Sequence, residues 1–368
     1  MRNIMFSFFH IHQKFVKSVQ PSIAVKRQKK STELPGYVNT LFSYPDQRII
    51  KPSDLKSFER CEFDISGIRV TVDFFHIINA TWKRGRIDEL VRWIQRIVFF
   101  LTEWAMTANK VSIPRSLHIA IANSSIKKMM PGPDETTFAP FHVNSGLNVT
   151  NMGNTDSTGR ISLIYRDEEM VKVIAHELVH HMALDFTHYD YPTEEAILKD
   201  RFPEWCRPVG GSRVALSECF TDTVACWLMV HLLVLFRGNA HVIATTTERT
   251  YLAQVKHVLE LQHEYLISQA AKLTREYASR RGIQVMGETT HIFSYYICKA
   301  AIFGKADYVL KRWHPSRKNV KNNLKLDWSA FYGFVTRAVG SKAYRDVLNT
   351  YAQATQATRH LRMQRIEL

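Results

Sequence analysis

The chain has 368 residues, 45% hydrophobic and 23% charged, which allows a sizeable core and argues against a disordered or membrane-embedded chain. Its net charge of +15 and pI of about 9.6 favour anionic partners (nucleic acid, a membrane surface, an acidic protein) without choosing among them. The cysteines, Cys61, Cys206, Cys219, Cys226 and Cys298, are odd in number and form no CxxC pair, which argues against a secreted disulfide framework and for a reducing, intracellular compartment.

Residues 1–35 read as a basic extension, with the cluster Lys26-Arg27-Gln28-Lys29-Lys30 and a turn at Pro35-Gly36. Met1–Val19 does not suit a secretory signal and is expected to be a short amphipathic helix or a disordered arm. Alternation over Phe63–Phe75 predicts strands with a turn at Gly67. Ile87–Met106 has helical periodicity. Leu117–Ala122 reads as a strand. Residues 123–160 read as mostly loop, interrupted by an extended piece at Phe141–Val149, and Ile161–Tyr165 reads as a strand.

A helix is expected from Asp167 to about Leu184, with Asp167, Glu168 and Glu169 at the positive end of its dipole. A Pro- and Gly-rich loop follows. Helices are expected at Ala215–Phe236, 248–281, 291–303 and 328–360, with a basic loop at 311–325 containing Trp313 and His314. The apolar run Thr223–Phe236 is short for a membrane span and contains His231, so it reads as a core helix and no transmembrane segment is expected. Strands first and helices afterwards predict an α+β fold. Its N-terminal α/β lobe covers 36–185 and its mostly helical C-terminal lobe 186–368.

The chemistry centres on His176-Glu177-Leu178-Val179-His180. Residues four apart on a helix share a face, so both imidazoles can meet one metal ion, with Glu177 beside them to take a proton from water. A catalytic zinc commonly takes three protein ligands. Glu218 and Asp222 lie four apart on an otherwise apolar helix and therefore require partners. Glu218 can be the third ligand. Asp222 can accept a hydrogen bond from the outer nitrogen of a ligand histidine, His180 being the best placed. A metzincin pattern is absent, because Phe186 stands where its third ligand would be. Asp185 and His188 remain as further donors without a matching pattern, and His181 lies off the ligand face.

HELVH followed by an ExxxD helix resembles the gluzincin clan of zinc metallopeptidases over about Ile161–Leu228, with an insertion implied around 185–213. The strings PFHVNSG (140–146) and IYRDEEMVKVIAHELVHH (164–181) look like metallopeptidases encoded by large DNA viruses. The resemblance implies a zincin-like fold, one Zn2+ per chain, a peptide or protein substrate and a virion-associated setting. It implies an edge strand that pairs with extended substrate, which falls on Asn144-Ser145-Gly146. It also implies a His or Tyr that stabilises the oxyanion, with His291, Tyr295 and Tyr296 as candidates; His291 and Tyr295 share one helix face.

Two other classes stay open. One is a virion-associated or structural protein that keeps zinc without turnover, for which Cys219 would be a fourth ligand. The other is a basic nucleic-acid-binding protein in which the motif is accidental.

Overall fold

The computed structural model describes residues 9–19, 23–78, 80, 82–83, 85–107, 113–132, 134–150, 159–185, 200–202, 214–236, 247–279, 287–306, 309 and 322–354. The strands are β1 (Lys26–Arg27), β2 (Leu55–Ile65), β3 (Ile68–Ile77), β4 (Ser116–Ser124), β5 (Thr137–Phe138), β6 (Gly146–Val149), β7 (Ile161–Arg166) and β8 (Gly287–Glu288). The longer helices are α1 (Arg86–Thr107), α2 (Met170–His181), α3 (Leu216–Phe236), α4 (Glu248–Ser279), α5 (Lys299–Phe303), α6 (Asn322–Gly340) and α7 (Lys342–Ala354). The class is α+β. The chain divides into two compact units, one of residues 2–127 and 145–184, the other of 128–144 and 185–368.

The first unit is a six-stranded mixed sheet in the order β1-β2-β3-β4-β7-β6. The expected turn at Gly67 joins β2 to β3 through Ser66 (φ 51°) and Gly67 (φ 78°), the two-residue geometry that matches strand twist. Strands β3, β4 and β7 are parallel, while β6 runs antiparallel to β7 as an edge. The segment read as an extension supplies β1, which pairs with β2. Residues 9–19 are helical and bury Phe9, Ile11 and Phe15, whose ring packs on Phe99. Helices α1 and α2 pack on each other, and α2 also lies against β6 and β7.

Within this sheet Asp73 is fully buried. Arg60 on β2 grips both its oxygens, from Nε at 2.7 Å and Nη2 at 2.8 Å. His118 Nε2 lies 2.8 Å from Oδ2, and the Tyr37 hydroxyl donates to the same oxygen. Burial pushes the Asp73 carboxyl up, but the hydrogen bonds from Arg60 and His118 outweigh it and hold it at about 2.

The second unit is mostly helical. Helix α3 is apolar over most of its circumference and accordingly lies in the core. It packs against α4 and against Phe293–Cys298, and α4 packs against α7. By length and composition α3 could cross a membrane, and 89% of its most apolar window is buried in the fold.

Several expected boundaries move. Helix α2 begins at Met170 rather than Asp167, because Glu169 is left-handed (φ 57°) and Asp167 still bonds Ser124 as an extension of the sheet. The extended piece at 141–149 is a helical turn, Pro140–Val143, followed by β6. The helix at 291–303 is a π-helix over Phe293–Cys298 before α5. The helix at 328–360 is two, α6 and α7, because Ser341 accepts the Tyr344 N–H and caps a new start. Of the expected basic loop, 322–325 belong to α6, while Trp313 and His314 lie outside the described residues.

Candidate metal centre

Helix α2 is buried along its length except at His180, and His176 is buried. Four-residue spacing stacks their rings edge to face, 4.8 Å between centroids, with the two Nε2 atoms 3.1 Å apart. The helix stops just past them. Ala183 is left-handed (φ 53°), Ala183 N–H donates to the His180 carbonyl and Leu184 N–H to the Val179 carbonyl. This paired closure usually uses glycine.

Helix α3 carries Glu218 and Asp222 one turn apart. The Tyr295 hydroxyl donates to Glu218 Oε2 at 3.1 Å, so this candidate oxyanion donor touches the expected ligand. His291 packs edge to face on Tyr295, as their spacing predicts. Asp222 is fully buried and accepts from the equally buried Lys299 ammonium. Cys226 Sγ is 3.7 Å from the same nitrogen. Sequence reasoning missed Lys299, which lies 77 residues from Asp222 and reads as one more helical lysine.

One ligand atom each from His176, His180 and Glu218 lies within 4.8 Å of the others, the one such cluster among the described residues. These donors suit a metal. Two imidazoles and a carboxylate are the nitrogen and oxygen ligands of catalytic zinc. Nitrogens about 2.0–2.1 Å from a tetrahedral ion stand about 3.4 Å apart, close to the His176–His180 separation of 3.1 Å. Cys219 is buried and does not belong to the cluster.

Glu177 faces the sheet's edge strand. Asn148 Nδ2 donates to Glu177 Oε2 at 2.7 Å and to the Glu177 carbonyl at 3.0 Å. Gly146 passes so close to α2 that a Cβ there would meet Val173 Cγ1 at 2.7 Å and Glu177 Oε1 at 2.8 Å. Ser145 is buried, and its carbonyl accepts the Tyr165 N–H. Asn144 Oδ1 accepts from the Thr290 hydroxyl. His181 is buried, with Nδ1 2.8 Å from Ser162 Oγ. Asp185 is buried and accepts from the Thr221 hydroxyl, whereas Phe186 and His188 lie outside the described residues. Sequence reasoning did not single out Asn148 or Ser162, because only the β6–β7 register brings them under α2.

No protein-family model, curated protein or solved structure matches this chain.

Proposed function

We propose that the chain is a zincin-like, zinc-dependent metallopeptidase, with His176, His180 and Glu218 holding the ion and Glu177 serving as general base. The observation that carries this reading is the approach of those three ligand atoms to within 4.8 Å, with Glu177 adjacent in sequence to the first of them. Zinc, when bound, would polarise the scissile carbonyl and make the attacking water acidic enough to lose a proton near neutrality. Glu177 takes that proton and returns it to the leaving amine. Tyr295 holds one oxygen of Glu218 and thereby orients its carboxylate. The edge strand β6 offers backbone groups to an extended peptide, which suits a sequence-tolerant enzyme.

Zinc stoichiometry by elemental analysis tests it, read beside cleavage of a pool of internally quenched peptides. About one zinc per wild-type chain is expected, lost in both His180→Ala and Glu218→Ala. Glu177→Gln should keep the zinc and abolish cleavage. A folded wild type that takes up no zinc after reconstitution would sink the proposal.

A further inference from the structure

Glu177 belongs to α2, yet its carboxylate is met from the sheet. Asn148, on β6, donates through Nδ2 to Glu177 Oε2 and to the Glu177 backbone carbonyl. A carbonyl oxygen only accepts, so the amide nitrogen must face α2 and Oδ1 must face away. Ser162 is the residue opposite Asn148 in the β6–β7 register, and its Oγ lies 2.8 Å from that Oδ1. The single hydroxyl proton therefore goes to Asn148. The oxygen left behind then accepts from His181 Nδ1–H at 2.8 Å. The bonds run in one direction, from His181 through Ser162 and Asn148 to Glu177. Ser162 and His181 are both buried, which keeps water from replacing these bonds.

Gly146 adds a second constraint. It precedes Asn148 by two residues and so lies on the same face of β6. With no side chain there, β6 can lie directly against Glu177, where a Cβ would stand 2.8 Å from Oε1. One carboxylate oxygen is thus hydrogen-bonded to the sheet, and the other lies beside the Gly146 backbone.

We infer that Asn148 is the positioning residue of Glu177, holding its carboxylate in one orientation through Oε2. This rests on the peptidase reading above. The experiment has two arms, both on the full chain. The first needs no turnover. Asn148→Asp keeps the shape but sets an acceptor against Glu177, and should lower the melting temperature of the metal-free chain by about 3 °C or more. Combining it with Glu177→Gln exchanges amide and carboxylate across the same contact, and should restore most of that loss. A double variant that melts no higher than Asn148→Asp alone would overturn the contact.

The second arm uses the zinc-loaded chain and a pool of internally quenched peptides. Asn148→Ala should keep its zinc and its KM while kcat falls about 10- to 100-fold, the scale expected when a reacting group loses its alignment. An unchanged kcat would overturn the positioning role. A wild type that binds zinc and cleaves nothing, in which the exchange still restores melting, would overturn the peptidase reading and leave Asn148 a structural clamp.

Discussion

Asp73 on β3 and Glu218 on α3 are carboxylates of one chain, answered in different ways. Asp73 meets a guanidinium on both oxygens, an imidazole and a phenol, all within the first unit. Glu218 meets the Tyr295 hydroxyl on one oxygen, and its ligand atom stands with two imidazole nitrogens. The first arrangement brings its own cation. The second gathers acceptors around a point and backs them with neutral donors, as Asn148 does for Glu177. A buried charge that is internally neutralised holds a fold together, whereas converging acceptors suit a cation from outside.

The strongest way to break this contrast is to neutralise each carboxylate in turn. Asp73→Asn leaves a guanidinium facing an amide in a buried site and should cost about 3–5 kcal/mol of stability in denaturant unfolding. Glu218→Gln keeps an acceptor for Tyr295 and should cost about 1 kcal/mol or less in the metal-free chain. Its effect should appear as lost zinc instead. Equal stability losses for the two variants would erase the distinction.

Acid sharpens the same comparison. The folded value of Asp73, about 2, lies below its unfolded value of about 3.9. Its contribution is therefore present above pH 4 and is lost as the pH falls toward 2. His231 acts at milder acidity. It is buried beside Trp227 with Nδ1 against the Tyr251 hydroxyl, and burial pushes it down to about 3. The unfolded chain then takes up a proton below about pH 6.5 that the folded chain refuses, so stability falls with pH by about 1.4 kcal/mol per unit. Burial also lowers His12, to about 4, with the same sign. Unfolding free energies measured from pH 8 to 4 should show a shallower slope in His231→Phe than in the wild type. Parallel slopes would show that His231 is not the neutral buried group described.

What the sequence made legible follows the range of each interaction. The His176–His180 pair is local, since a four-residue spacing on a helix sets it before any tertiary contact forms. Glu218 was readable because a carboxylate on an apolar helix demands a partner, although the demand does not name one. Asp222 shows that limit. Its demand is met by Lys299, a residue nothing in the sequence singles out. Asn148 and Ser162 were illegible for the opposite reason. They are ordinary polar residues, and a strand register must exist before either meets α2. Gly146 stood out as part of a short extended motif, but its close approach to Glu177 is visible only once β6 packs on the helix.

The end of α2 offers the smallest and most selective test. Nothing in His-His-Met-Ala-Leu signals a stop, which is why the helix was expected to run to Leu184. It ends because Ala183 adopts a left-handed backbone that alanine disfavours by about 1–2 kcal/mol. Ala183→Gly removes that strain while raising unfolded-chain entropy. The two partly cancel, leaving a gain of about 0.5–1 kcal/mol in thermal or denaturant unfolding. The His180 carbonyl that accepts Ala183 N–H is unaltered, so the ligand face and zinc stoichiometry should not change. A variant that gains stability but loses zinc would mean that the strained cap aims His180, and the metal site would then be coupled to backbone strain.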